Sequence, residues 1–573
     1  MATKKDASDY TQVYRLLLAC SMASLMLVLM PASANARAPL KKKSDLCSKL
    51  GKTIQASSGA QMCCFGPQRN GPMHRFVPMP ANPSGLANVD AANPAEDRTG
   101  SGAYIGGQSE TSIAASGNFV VKAWNDGTGF FAGCGSPMFK EELSGYSFST
   151  DGGKTFTDYG GLPNNACSDG SRWDGDPSVG VYKNSGFTYL YISSLFACSP
   201  AVGCPNFGLA VAVSACQVTG NTLTCGQPTI VATSDCNTAN ACMGDFTFLD
   251  KDYLVVDQAR KRLYITFTDS NVAPAFPPGQ IEMAACDLDN PLAPVCQNGT
   301  NFAQPYVNVQ PGDSTNFCEY EGAYPALDRL TGDVYVGFEF NWGTNVFGSF
   351  NCVTSIPTQV VVARVPGSCL PDPDTAISPC LPPFLENANI IISTDITGVP
   401  GYNRGFMNDF PRIAVSDRYG TVSLVWNDAR NKPLGDILLQ SYNLGTLTRI
   451  QSSPVKLNND NGVGDMHTMP GLKNASRTGL LNVTWYDRRG ANAGTGKTDI
   501  FGAVNVNPRT SSTPSYKKFT NVTTDWLATS SVIVPNFGDY TDNFVSSSNV
   551  LYVTWSDGRT GVPQPEVAHT PVQ

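Results

Sequence analysis

Seven carboxylic acids recur along the chain, each just ahead of a short apolar run: Glu110, Asp176, Asp252, Glu321, Asp409, Asp465 and Asp539. Gathered at one rim, such acids would supply a general acid together with a nucleophile or base for glycoside cleavage. The same oxygens would suit Ca²⁺, the one cofactor these residues suggest. The structural alternative is that each acid holds backbone N–H groups at a strand entry or pairs with an arginine. A second recurring pattern is W-x-D-x-R. It gives the pairs Asp428/Arg430, Asp487 with Arg488 or Arg489, and Asp557/Arg559. Repetition at equivalent positions argues for a bridge that orders a loop. The functional alternative is that the three arginines face one cavity, where their planar forks would bind a carboxylate.

Other chemistries are poorly provided for. The only histidines are His74, His467 and His569, too few for a His-rich metal centre or a Ser–His–Asp triad. His467, in GDMHTMP, stands near the same rim, but a lone histidine is more often a hydrogen-bonded loop residue. No metal ligand set is assigned. GTGK at 494–497 is too short for a phosphate-binding loop and follows no suitable strand. A net charge of −8 and a pI near 5.1 exclude a broad nucleic-acid surface, which needs a basic footprint.

The elements that must position these residues repeat. LYVTWSDGR (Trp555), LNVTWYDRR (Trp485) and SLVWNDAR (Trp426) are clear copies. VYVGFEF (Phe338), LYITFTD (Phe267), LYISSLF (Ser194 at the aromatic position) and VVKAWND (Trp124) are weaker ones. The seven copies lie 59 to 88 residues apart. Each follows one short apolar run across a turn and precedes another, and most are trailed by a fourth. Four short strands per repeat describe a blade, and blades stack because none can bury both faces alone. The expectation is an all-β propeller of four-stranded blades, seven in number, with six as the alternative because the copy at Ser194 lacks its aromatic. The last repeat stops after its third strand. A segment ahead of Glu110 should therefore supply the missing outer strand and close the ring. In such a ring, the start of each innermost strand and the loop after the second strand share one face, the funnel.

The N-terminus reads as an export signal: Lys4, Lys5 and Arg15 precede an apolar run from Leu16 to Met30 and then PASANA, with cleavage expected after Ala36. The division is thus 1–36 signal peptide, 37–100 irregular Cys/Pro-rich extension, and 101–573 propeller. No other segment looks membrane-spanning, and the mature chain is expected to be a secreted monomer. Eighteen cysteines in an exported protein imply disulfides, and losing Cys20 with the signal leaves an odd number. Cys216–Cys225, Cys286–Cys296 and Cys369–Cys380 each bracket an outer-hairpin loop and are expected to bond. Cys134–Cys167, Cys198–Cys204, Cys236–Cys242 and Cys318–Cys352 are weaker pairings.

The stretch FSTDGGKTF carries Ser149, Asp151, Gly153, Thr155 and Phe156, every defined position of the Asp-box S-x-D-x-G-x-T-[FW]. It falls between the third and fourth strands of the first repeat. Here the chain resembles the sialidase-like, BNR-repeat propellers, over roughly 105–573 through the repeat but with a single full box. The resemblance implies a secreted protein that acts on or binds glycans, with a retaining exo-glycosidase as its catalytic form. It would supply an arginine clamp, a Tyr–Glu nucleophile pair and an Asp acid/base. Candidates by role are Arg412, Arg430, Arg489 and Arg559 for the clamp, and Asp176 for the acid. Tyr320 or Tyr324 with Glu321, or Tyr540 near Glu110, would form the nucleophile pair. The family's F/Y-R-I-P motif is missing; FPRIAV, with Arg412, has only its composition and lies in the fifth repeat. That departure leaves open a non-catalytic extracellular propeller binding glycan or protein, with Ca²⁺ as a stabiliser. It would lock each arginine to its own loop acid.

Overall fold

The computed structural model describes residues 86–95, 97, 106–130, 142–165, 167–199, 202, 204, 208–233, 247–269, 280–296, 320–340, 358–370, 389–394, 396, 398–404, 407, 410–432, 434–512 and 514–573. The expected signal peptide, most of the extension, Asp409 and Cys380 lie outside them.

Each recurring apolar run becomes a strand buried on both faces, because its sheet is stacked between two others. The innermost strand of the first blade, Gln108–Ser116, is buried along its whole length. Antiparallel partners Phe119–Asp126, Ser144–Ser149 and Thr157–Gly161 complete that blade in chain order. The next five innermost strands are Ser178–Asn184, Thr247–Asp257, Tyr320–Leu327, Arg412–Ser416 and His467–Asn474. Asp542–Val545 opens the seventh blade, so the count is seven and the six-blade alternative falls away. A two-residue parallel contact of Thr247 and Phe248 with Gly208 and Leu209 ties the second blade to the third.

The ring closes as expected. The third strand of the seventh blade, Gln564–Pro571, pairs antiparallel with Val89–Asp90, Val89 opposite Val567 and Asp90 opposite Glu566. The outermost strand therefore comes from the segment ahead of the first repeat. At this seam Ile113, Val120 and Trp124 of the first blade pack against Tyr552 and Val567 of the last, with Phe156 against the cluster. The Lys122 ammonium crosses the same seam, fully buried, and donates to the Glu566 carbonyl at 2.9 Å.

The aromatic of each W-x-D copy is buried, and its indole holds the following acid. Trp124, Trp426, Trp485 and Trp555 donate Nε1–H to Asp126, Asp428, Asp487 and Asp557 at 3.2, 2.9, 2.7 and 2.8 Å. The turn at 149–155 is also closed from within. Asp151 accepts the backbone N–H groups of Lys154 and Thr155, both at 3.0 Å, and the Thr155 hydroxyl at 2.6 Å. Gly153 sits at φ +84°, a conformation that glycine adopts at no steric penalty.

Cys216–Cys225 and Cys286–Cys296 join directly opposed residues of outer hairpins, and Cys198–Cys204 is bonded too. Cys369 is in a disulfide whose partner lies outside the described residues.

Candidate active site

The funnel face is shaped by a bulge repeated at the entry of innermost strands. Pairing skips two residues between Ser109 and Ser112, between Asp250 and Tyr253, between Glu321 and Tyr324, and between Thr468 and Gly471. The first skipped residue is left-handed each time: Glu110 (φ 53°), Lys251 (φ 53°), Gly322 (φ 70°) and Met469 (φ 50°). Asp176, two residues ahead of Ser178, shares the conformation at φ 57°. A non-glycine residue there costs roughly 1–2 kcal/mol. The neighbouring blade holds it in place: the Asn125 amide oxygen accepts the Asp176 N–H at 2.5 Å, and Asn427 accepts the Met469 N–H at 3.0 Å.

These bulges bring the acids of separate blades together. The Asn125 amide donates to Glu110 and, at 3.2 Å, to Asp176, so one NH₂ group clamps both carboxyls. The two carboxyls also lie within hydrogen-bond reach of each other. Burial raises the Asp176 carboxyl well above its usual range, and Glu110 beside it pushes the same way. Burial likewise raises Glu110. Asp252, held by the Ser193 hydroxyl, is raised well above its range by burial. Asp539 goes the other way: burial would raise it, but Arg404 and Lys251 hold it low. Lys251 Nζ lies 2.7 Å from Asp539, both side chains fully buried, and Arg404 is bonded to the same carboxylate. The Asp539 N–H donates to Glu110 at 3.1 Å. Lys251 and Arg404 thus favour the charged form of Asp539, while burial favours the neutral form of Glu110, Asp176 and Asp252.

Tyr540 stands at the edge of this cluster. Its hydroxyl is buried with no hydrogen-bond partner among the described residues, and Asp176, Glu110 and Asp252 all bear on it electrostatically. Behind it Arg412, 2% exposed, is caged by Tyr253, Tyr324 and Tyr540, with ring centroids 4.7, 4.6 and 5.1 Å from its guanidinium carbon. Tyr324 does not meet Glu321. Its hydroxyl donates to Asp542 at 3.2 Å and accepts from Lys473 at 2.7 Å. Glu321 is buried with its charge felt by Lys251.

The remaining candidates stay in their own loops. Arg430, Arg489 and Arg559 each fork onto the aspartate two residues back, with Nη2–Oδ2 distances of 2.7 Å for the latter two. That aspartate's other oxygen accepts the arginine's own backbone N–H. Arg488 instead donates to the Pro400 and Thr495 carbonyls, both at 2.8 Å. Asp465 accepts the Gly462 and Gly490 N–H groups at 2.7 and 3.0 Å. The structure thus gathers Glu110, Asp176, Asp252, Asp539 and Tyr540, sets Arg412 and Tyr324 behind them, and leaves Arg430, Arg489, Arg559 and Asp465 as loop braces.

Sequence reading missed Asn125, Lys251, Tyr253, Arg404 and Asp542. Two of them carried a signal: Lys251 is a lone cation inside the buried run LDKDYLVVD, and Asn125 follows a repeat tryptophan as Asn427 does.

No family model matches the chain, and no curated protein matches it by sequence. Solved structures do. A Hadza microbial sialidase is 10% identical at a TM-score of 0.36; the match covers 69% of this chain and 65% of that one, so the chain spans under two thirds of that relative. The NanB sialidase of Streptococcus pneumoniae is 11% identical, covering 87% and 71%, at a TM-score of 0.35. An endo-arabinase of Bacteroides thetaiotaomicron is 14% identical, covering 54% and 88%, at 0.28.

Proposed function

We propose that this is a secreted, glycan-acting propeller that cleaves glycosides at the junction of the seventh, first, second and third blades. The observation that carries this reading is the buried set of Glu110, Asp176 and Asp252 around the unpartnered Tyr540 hydroxyl. Proton-holding carboxyls at neutral pH are what a leaving-group oxygen requires. Asp176, raised well above the usual carboxylate range by burial and by Glu110 beside it, is the general acid. Glu110 takes the Tyr540 proton as the phenol oxygen attacks the anomeric carbon, and Asp539 with Lys251 and Arg404 fixes Glu110 through the backbone. The raised phenol means that Tyr540 reacts only with this base in place. A sugar carboxylate finds little welcome, since Arg404 and Lys251 are taken by Asp539 and Arg412 by tyrosines; neutral glycosides fit better.

The paired state of Arg430, Arg489 and Arg559 favours a second reading, a propeller that binds glycan or protein without turnover. A fluorogenic glycoside screen separates the two. Turnover of a neutral glycoside should fall at least about a hundredfold in Asp176→Asn and in Glu110→Gln. A folded chain without turnover on any substrate supports the binding reading. Turnover that survives both changes removes this site.

A further inference from the structure

Asp460, His467 and Asp487 stand apart from the carboxyl cluster, where the connection entering the sixth blade meets the loop after that blade's second strand. Their side chains offer one ligand atom each, all within 4.8 Å of one another. The His467 ring is fully buried. Its Nδ1 lies 3.1 Å from the Gly435 carbonyl, which accepts only an N–H, so Nδ1 carries the proton. In the neutral ring this leaves the Nε2 lone pair facing the carboxylates, the orientation usual for a metal-binding histidine; the protonated ring would instead donate Nε2–H to Asp460. Nε2 is 2.9 Å from Asp460 Oδ2 and 3.4 Å from Asp487 Oδ2. Yet neither Nε2 nor Asp460 Oδ2 makes a hydrogen bond of ordinary geometry, although both are buried. Ligand atoms about 2.1 Å from a shared cation, at tetrahedral or octahedral angles, lie roughly 2.9–3.5 Å apart.

The geometry points to a divalent metal site here, formed by His467 Nε2 and an Asp460 oxygen, with Asp487 Oδ2, which also accepts the Trp485 indole and Arg489, as a third and weaker ligand. One imidazole with two carboxylates suits Zn²⁺ or Mn²⁺ better than Ca²⁺, which prefers an all-oxygen shell of six to eight ligands. The neighbouring charges set the affinity. Asp460 and Asp487 supply two negative charges, and Asp465 lies within hydrogen-bond reach of Asp460. Arg489 opposes a cation: it forks onto Asp487 and stands 3.6 Å from Asp460. Arg489 should therefore weaken the binding. The ion would pin the connection 457–466 to the blade, a stabilising task independent of glycoside turnover.

The test is calorimetric titration of the purified, EDTA-treated chain with ZnCl₂, with MnCl₂ and CaCl₂ for comparison. One Zn²⁺ should bind, at least about tenfold more tightly than Ca²⁺. Asp460→Asn, which leaves the Asp487–Arg489 bridge intact, should weaken the binding about 10–100-fold, and His467→Ala should do the same. Zn²⁺ should raise the melting temperature of the native chain and not that of Asp460→Asn. Absence of Zn²⁺ binding to the folded chain overturns the site, as does an isotherm unchanged in a folded Asp460→Asn. The second outcome assigns any binding to the other histidines or to cysteine.

Discussion

The same residue does different work according to what its neighbour supplies. The aspartates of the W-x-D copies look available for chemistry, but three groups already occupy each of Asp428, Asp487 and Asp557: an indole N–H, a guanidinium and a backbone N–H. Asp428 is fully buried, so removing it strands all three donors. Asp428→Ala should lose about 3 kcal/mol of stability in denaturant titration. Trp426→Phe, which deletes one donor, should lose less, about 1–2 kcal/mol. A loss below about 0.5 kcal/mol for Asp428→Ala, the ordinary range for a surface change, would show that the bridge does not order the loop. By contrast, Asp176 has one oxygen without a hydrogen-bond partner and a like charge beside it. Nothing in the residue letter separates the two cases.

At the scale of the strand and hairpin, most of the architecture was legible. Apart from the strand that closes the seventh blade, the blades are made of antiparallel neighbours close in the chain, so short-range patterning specifies the pairing. The outer-hairpin cysteines were readable for the same reason: Cys286 and Cys296 are ten residues apart and directly opposed. Closing a loop of that length restricts the unfolded chain by about 3 kcal/mol, so Cys286→Ser with Cys296→Ser should lower unfolding free energy by about that much. An unchanged denaturation midpoint would mean that the pair adds nothing. The bulge was not legible. It shifts the register at the mouth of the strand, and Glu110, Lys251 and Met469 occupy its left-handed position without any of the usual glycine signals. Acids placed within three residues of a strand entry therefore split between the cluster and loop bracing.

The whole ring depends on a strand of two residues. Asp90 faces Glu566 across the closing pair, with Lys122, Asp557 and Arg559 around them. Burial is the main cause that pushes Asp90 up to about 7 and Glu566 up to about 8. Both folded values exceed the unfolded ones of 3.8 and 4.5, so each neutral carboxyl stabilises the fold at low pH, and that stability is lost as pH rises from the unfolded values to the folded ones. The melting temperature should fall as pH climbs from about 4 to about 8 and level off above that. Asp90→Asn, which cannot ionise, should flatten that fall. An equally steep decline in Asp90→Asn would locate the effect elsewhere.

Composition and repeat spacing alone determined an all-β ring and the need for a strand from ahead of the first repeat, and narrowed the units to seven or six, because these rest on hairpins between chain neighbours and on the impossibility of leaving an edge open; the fold decided for seven. Only the folded chain decided which polar groups meet. Glu110, Asp176, Lys251, Arg404 and Asp539 are brought together by ring closure, and so is the burial that decides which of them keep a proton.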